Sequence, residues 1–350
     1  RQSNFEALFG SLPLELQQEI FGYLEVPDIL NLRLISKPWH NLVASKELEI
    51  AFSYLRQPHI PALAIQLFPP TSPTTDLLYI SALWRRYSTA CGLATLISDW
   101  LTTDMFLQKT PDQRAEFGES ESLIRRRLVP LVIAMMHFFE TYSALRLDPL
   151  TADVDHTILE RQIMSDYDDE TLLQVHQLFR ILMAFQTRNL RPPSYMSRTE
   201  RSLRGYRRSD PPPENVQIAM LYIGGLQQLF RLAKIQPYEK RRQAVDVWFE
   251  GVTRDVPCEG EGSTKPTEEP ASGLKDKGKA VLFPTSLGSR PAGGSPSVQG
   301  TQEILRKLPV SKSQIWVSTA ESLLIERGKI EKVQDIKGDA GVLQELILRD

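Results

Sequence analysis

Hydrophobic residues recur at helical spacing along most of the chain. The clearest runs are residues 48–55, 77–107, 123–147, 172–185, 216–235 and 244–252. Spacings of three and four residues place the apolar side chains of each run on one helix face. The sequence lacks alternating β-branched runs bounded by turn dipeptides, and it has no internal repeat of 20–50 residues. The pattern therefore predicts an all-α fold without a propeller or a leucine-rich platform.

Three short helices are predicted near the N-terminus. The first runs from Pro13 to Leu24 with an apolar stripe and a polar side. The stripe consists of Leu16, Ile20, Tyr23 and Leu24, and the polar side of Glu15, Gln17, Gln18 and Glu19. Prolines in a first helical turn mark two more starts, at Pro27-Asp28 and at Ser36-Lys37-Pro38. About thirty residues are too few to bury their own apolar surface, so we expect a partner protein to cover it.

The same segment resembles the F-box. The matching blocks, in order, are Leu12-Pro13-Leu14-Glu15-Leu16, Tyr23-Leu24, Asp28-Ile29-Leu30 and Ile35-Ser36-Lys37-Pro38-Trp39. One departure is Leu48-Glu49, where many F-boxes carry Leu-Trp. The resemblance covers only about residues 10–50. It implies that these helices dock onto the Skp adaptor, and through it a cullin, in a ubiquitin ligase whose protein substrate is captured by the rest of the chain.

Nine residues are predicted to bind the adaptor. They are Leu12, Pro13, Leu14, Leu16, Ile20, Leu24, Leu32, Ile35 and Trp39. Trp39 is the leading candidate for an anchor, because large aromatic side chains dominate interface energetics. The alternative interpretation is that Trp39 and the leucines form the internal core of an ordinary helical domain.

Composition divides the chain into four parts. We assign residues 8–50 to the F-box, 51–252 to a helical substrate-recognition domain, 253–301 to a disordered linker and 302–350 to C-terminal helices. Residues 257–300 contain six Pro, eight Gly and six Ser, which is too little apolar surface to offset the entropy of ordering. The C-terminal helices are expected to dock back on the helical domain. The sequence starts at Arg1 and stops within a helical pattern at Asp350, so we expect it to be truncated.

A basic loop lies between two proline clusters, within residues 188–213. Arginines recur every three residues in it, at Arg198, Arg201, Arg204 and Arg207. This period aligns them along one edge of a polyproline II segment or, less closely, of a helix. That edge could contact acidic or phosphorylated partners, or RNA. A solvated loop that joins two helical blocks is the simpler alternative.

Charge and cysteine content exclude several classes of function. The chain has 41 basic and 43 acidic residues, so no global field draws it to nucleic acid or to an anionic membrane, and neither is expected as a partner. The apolar stretch from Leu128 to Phe139 is shorter than the roughly 20 residues that span a bilayer. Cys91 and Cys258 cannot form a disulfide framework or a four-cysteine zinc site. A reducing cytoplasmic or nuclear location is expected.

Catalytic motifs are weak. The sequence contains no P-loop or His-Glu-x-x-His motif. Two acidic clusters, residues 153–160 and 166–170, are explained by helix capping more simply than by metal or acid–base chemistry. His137 and His176 are expected to be core histidines with satisfied hydrogen bonds. We therefore expect a non-enzymatic protein with no cofactor and no metal. The alternatives are an F-box scaffold that acts outside a ligase and a metal-dependent helical enzyme around Asp153–Glu170.

Overall fold

The structure, a computed structural model, describes residues 4–56, 61–70, 76–151, 153–192, 210–253, 305, 308–309 and 311–330. This part of the chain is helical and contains no strand, which confirms the predicted all-α class. The N-terminal helices are α1 (Asn4–Ser11), α2 (Leu14–Tyr23), α3 (Val26–Ile35), α4 (Lys37–Ser45) and α5 (Glu47–Arg56). The following helices are α6 (Ala62–Leu67), α7 (Leu77–Trp100), α8 (Pro111–Leu147), α9 (His156–Ser165), α10 (Asp169–Leu190), α11 (Glu214–Tyr222), α12 (Gly225–Ala233), α13 (Tyr238–Thr253) and α14 (Val317–Glu326).

The three predicted N-terminal helices are confirmed as α2, α3 and α4. Pro27 lies in the first turn of α3, and the Ser36 side chain caps α4 by accepting from the backbone N–H of Trp39. Helix α5 confirms the helical run predicted at residues 48–55, whereas the flanking helix α1 was not predicted from the sequence. Together with the start of α7 they enclose a small core whose largest side chains include Phe21, Trp39 and Tyr54. Other helices of the same chain therefore cover part of the apolar surface that we expected a partner protein to cover.

The remaining helices form a larger core around α7 and α8. Helix α8 starts with a capping box between Thr110 and Gln113, and it continues through Pro130. It contacts α6, α7, α9, α10, α11 and α12. By length and composition α8 could cross a membrane, but 56% of its apolar window is buried in the protein. This burial agrees with the buried helix predicted around Leu128 to Phe139. The observed helix, Pro111–Leu147, is longer than that stretch.

The two cores are in contact. Leu55 of α5 and Tyr79 of α7 pack against both of them. At the same junction the backbone N–H of Leu77 donates to Oε1 of Glu47, at 3.0 Å. Helix α5 thus crosses the predicted boundary between residues 50 and 51 and connects the N-terminal helices to the body.

One predicted helix is divided. The run 216–235 forms α11 and α12, which are separated at Gly224-Gly225. Gly225 has a φ of +65°, a left-handed conformation that other residues rarely adopt. A Cβ on Gly224 would lie 2.8 Å from the carbonyl oxygen of Met220. The pair therefore creates a turn between two helices, which corrects the continuous helix predicted from the apolar spacing.

The C-terminal segment, residues 311–330, docks on the body as predicted. It consists of a 3-10 turn (Lys312–Gln314) followed by α14, which packs on α9 and α10. Trp316, at the start of α14, is fully buried in the larger core. The predicted disordered linker and the further helices after residue 330 lie outside the described residues.

Candidate interaction surfaces

Helix α2 presents two different faces. Gln17, Phe21 and Leu24 point toward the N-terminal core, and Leu16, Ile20 and Tyr23 follow the spacing of an adjacent face. A shift of one residue rotates a side chain by about 100° around the helix, so the second face lies beside the core. We call Leu16, Ile20 and Tyr23 the α2 stripe. Their exposed fractions are 46%, 40% and 83%.

Gln17 is buried, although the sequence pattern placed it on the polar side of the first helix. Its Nε2 donates to the carbonyl oxygens of Leu12 and Phe9, at 2.7 and 3.0 Å. Its Oε1 accepts from Nζ of Lys46. Carbonyls in the last turn of a helix lack the usual helical N–H partner, and that of Phe9 also accepts from the N–H of Leu12 at 3.2 Å. The earlier assignment failed because α1 was not predicted.

The predicted adaptor-binding residues fall into different environments. Pro13, Leu16, Ile20 and Ile35 are exposed, Leu12, Leu24 and Leu32 are half-buried against the core, Trp39 is buried, and the side chain of Leu14 lies outside the described part of the structure. The four exposed members of the set have the most surface available to another protein, and buried Trp39 has the least.

Trp39 does not have the position expected of an anchor. Its side chain is only 7% exposed, and its ring lies 5.0 Å from that of Phe9. Phe9 also contacts Phe21 at 5.4 Å. Helix α1 therefore covers Trp39, and the alternative interpretation, an internal core role, describes this residue better.

Exposed apolar side chains are concentrated in the N-terminal helices. Eight large ones among the described residues lie there: Leu8, Leu16, Ile20, Tyr23, Leu34, Ile35, Leu48 and Phe52. Leu48 and Phe52 have the spacing of one face of α5, while Ile50, Ala51 and Tyr54 point into the core. Clustered exposed apolar surface is typical of a protein-binding region. The predicted binding set omitted five of these residues, although the i, i+4 spacing of Leu48 and Phe52 was a usable signal. The five are Leu8, Tyr23, Leu34, Leu48 and Phe52.

The end of α2 is held by α5. The hydroxyl of Tyr54 donates to the carbonyl oxygens of Phe21, at 3.0 Å, and Leu24. Burial raises the pKa of Tyr54, so the hydroxyl stays protonated and remains a donor. On the outer side, Nε2 of Gln18 donates to Glu49 at 3.3 Å. These contacts fix the orientation of the α2 stripe relative to α5.

The acidic clusters of the body form helix caps and structural contacts. Asp155 caps α9 by accepting from the N–H of Thr157 at 2.8 Å, and Asp168 caps α10 by accepting from that of Thr171 at 2.8 Å. Asp169 pairs with Arg327 and Lys329 of the C-terminal segment. Among the described residues no group of three or more His, Cys, Asp or Glu side chains could hold a metal ion.

Glu160 is the most perturbed acid of the body. Its Oε2 accepts from Oγ1 of Thr319 at 2.8 Å, and its Oε1 accepts from the N–H of Trp316 at 3.2 Å and the hydroxyl of Tyr222 at 3.3 Å. Burial raises the pKa of Glu160 to about 7, despite these hydrogen bonds. Glu160 and Trp316 are both fully buried. While residues 311–330 occupy this position a small-molecule substrate does not reach the carboxyl, so the contacts fit a structural role better than acid–base catalysis.

His137 and His176 differ in their hydrogen bonding. Nδ1 of His137 lies 2.8 Å from the hydroxyl of Tyr167, which agrees with the expected satisfied histidine. His176 is fully buried, and neither of its ring nitrogens has a hydrogen-bond partner among the described residues. Burial lowers the pKa of His176 to about 4. At neutral pH it is therefore uncharged, and its 3.7 Å approach to Glu321 is not an ion pair.

A small cavity of about 210 Å³ lies where the C-terminal segment meets α10 and α11. Arg191, Pro211 and Lys312 line it. The predicted arginine contacts, Arg198, Arg201, Arg204 and Arg207, lie outside the described residues. Their role stays a prediction.

Comparison with known families identifies the N-terminal helices. Residues 9–50 match the family model described as the F-box domain. The match extends from the second half of α1 into α5 and includes the whole α2 stripe. No curated protein and no solved structure matches the chain. The chain therefore carries an F-box domain at residues 9–50, as the sequence resemblance indicated.

Proposed function

We propose that this protein is a substrate-recognition subunit of a Skp–cullin–F-box type ubiquitin ligase. F-box domains bind Skp-type adaptors, and the adaptor in turn connects to a cullin. The helical body would hold a protein substrate near the ubiquitin carrier. No catalytic residue is needed for this role, because proximity alone raises the effective concentration of acceptor lysines. The proposed location is the cytoplasm or nucleus.

The observation that carries the proposal is the outward position of the α2 stripe within a matched F-box domain. The F-box fills its own core with Phe21, Trp39 and Tyr54, so Leu16, Ile20 and Tyr23 are not needed inside it. Burying these partly exposed side chains in an interface is worth about 1 kcal/mol each, before the costs of association. The exposed Glu15 and Glu19 provide a polar rim beside the stripe.

Co-purification tests this function. The full chain is co-expressed with a Skp-type adaptor and a cullin, and we expect the wild type to bring down both. Leu16→Asp together with Ile20→Asp places charges in the stripe and should remove both partners. Leu150→Asp is the matched control, because Leu150 is 89% exposed and lies in the body, and it should retain both.

Two other outcomes decide between the alternatives. Capture of the adaptor without the cullin would favour an F-box scaffold that acts outside a ligase. If the wild type captures neither partner, or if the Leu16/Ile20 variant binds as well as the wild type, the proposed use of the α2 stripe is wrong.

A further inference from the structure

We propose that the body carries a peptide-binding groove between α8, α9 and α10 that residues 311–330 occupy in cis. The partner it fits is an amphipathic helix of another protein with the same pattern of side chains. This inference rests on the proposed role of the body in substrate capture, and it names the kind of segment that the body would take.

The apolar part of the groove is an aromatic cluster that receives Trp316. The Trp316 ring meets the edge of Phe138 of α8 at 4.8 Å and stacks on Phe179 of α10 at 6.0 Å. Tyr167, between α9 and α10, contributes a third ring at 6.2 Å. Ala320 and Leu324 follow Trp316 at helical spacing, and both are fully buried. A helix that lays one apolar face into a groove is a common mode of peptide recognition.

Polar contacts set the register of the bound helix. Glu160 receives hydrogen bonds from the backbone N–H of Trp316 and from the hydroxyl of Thr319, so it recognises the first turn. At the other end Arg327 donates to the carbonyl oxygen of Tyr167 at 2.8 Å and pairs with Asp169 at 3.1 Å. The matching partner therefore has Trp, then Thr three residues later, an apolar stripe, and a basic residue eleven positions after Trp.

Several features favour release of the cis segment. Trp316 has φ 64° and ψ −53°, and the N–H of Val317 donates to the carbonyl oxygen of Ile315 at 2.6 Å. This is a γ-turn of the rare, strained kind. Nε1 of Trp316 has no hydrogen-bond partner among the described residues although it is buried. In the sequence 57 residues separate Thr253 from Ser311, a length sufficient to keep the segment attached if it left the groove.

An exchange experiment tests the groove. A recognition sequence for a site-specific protease is inserted within residues 257–300 of the full chain. Binding of a fluorescent synthetic peptide of residues 311–330 is then measured by anisotropy, before and after cleavage. We expect saturable binding to the cleaved chain. Binding to the uncut chain should be at least ten-fold weaker, because the tethered copy competes at a high effective concentration.

Variant peptides test the recognition pattern. Trp316→Ala and Thr319→Ala peptides should bind at least ten-fold more weakly to the cleaved chain, since each loses a contact with the aromatic cluster or with Glu160. The Ser318→Ala peptide is the matched control, because Ser318 is exposed and lies between Trp316 and Thr319 in the sequence, and it should bind like the wild type.

The proposal is overturned if the cleaved chain keeps its own segment without exchange over days, or if it loses its cooperative thermal transition after cleavage. Either result would make residues 311–330 an integral part of the core. Adaptor binding is measured on the same sample, so the two proposals fail separately. Retained adaptor binding without exchange rejects only the groove, and exchange without adaptor binding rejects only the ligase role.

Discussion

Trp39 stabilises the F-box from inside, through ring contacts with Phe9 and a position in the N-terminal core. Trp39→Ala should therefore lower the free energy of unfolding of this module by about 3–5 kcal/mol, because it leaves a cavity. Urea unfolding followed by hydrogen exchange of α2–α4 amides measures this loss. Leu16→Ala, at an exposed site on the same domain, should change stability by less than about 1 kcal/mol. Equal effects of the two substitutions would contradict the assignment of Trp39 to the interior.

Glu160 gives the stability of the body a pH dependence. Its pKa rises from 4.5 to about 7 on folding, so the native state binds more protons than the unfolded state between these values. The contribution of Glu160 to the free energy of unfolding is therefore fully present below about pH 4.5 and is lost as the pH rises through 7. His176 acts in the opposite direction, because its pKa falls from 6.5 to about 4 and native stability rises through that window.

Glu160→Gln isolates the contribution of the carboxylate. The amide carries no charge; its oxygen can accept from the N–H of Trp316, and its nitrogen can donate to the hydroxyl oxygen of Thr319, which then acts as the acceptor. Relative to the wild type, the variant should gain on the order of 2 kcal/mol of stability between pH 5 and pH 8. Urea unfolding of both proteins at the two pH values gives this difference, in which the effect of His176 cancels. Parallel pH profiles would show that Glu160 is already ionised at pH 5.

At the scale of helices, close packing of α7 on α12 depends on Gly92. A Cβ at this position would lie 2.2 Å from the ring of Phe230, so the ring must move. We expect Gly92→Ala to cost about 1–3 kcal/mol of stability. Gly118→Ala in α8 meets no atom within 4 Å and should instead stabilise by about 0.5–1 kcal/mol, because alanine favours the helix. Denaturant midpoints of the two variants should move in opposite directions.

The starts of several helices could be predicted from the sequence, because a proline or a capping side chain determines them locally. Pro27 and Ser36 mark the starts of α3 and α4, and Asp155 and Asp168 cap α9 and α10. The apolar spacing alone did not reveal the break at Gly224-Gly225, because a helix face can continue across a turn. Helices α1 and α6 are short and lack a strong stripe, so packing rather than local propensity determines them.

Local sequence likewise indicated only part of the proposed binding surface, because packing determines the rest. The α2 stripe could be predicted from its spacing, but its outward orientation could not. It depends on α1 and α5, which pack against the neighbouring face of α2, where Gln17 and Phe21 lie; Tyr54 of α5 contacts this face. Trp39 was predicted to be an anchor because large aromatic side chains dominate interfaces, but they dominate cores equally, and the sequence does not distinguish the two roles. The contacts of Trp316 with Glu160 join residues 156 positions apart, and no local pattern indicates such a pair.

At the scale of the whole molecule, the chain combines an F-box domain with a helical body attached through α5 and α7. The contact between Glu47 and Leu77 and the packing of Leu55 and Tyr79 on both cores connect the two parts. A fixed connection would hold a captured protein at a defined distance from the adaptor. This geometry suits a proposed role in which positioning, rather than chemistry, is the contribution of the chain.

The most direct test of the central claim is the affinity of the full chain for a purified Skp-type adaptor, measured by isothermal titration with wild type, Leu16→Ala/Ile20→Ala and Leu150→Ala. If the α2 stripe binds the adaptor, the double variant should bind at least ten-fold more weakly. Each truncation removes apolar surface whose burial contributes about 1 kcal/mol to the binding free energy. The Leu150→Ala control should match the wild type. Equal affinity of all three proteins, with native circular dichroism spectra, would contradict the account.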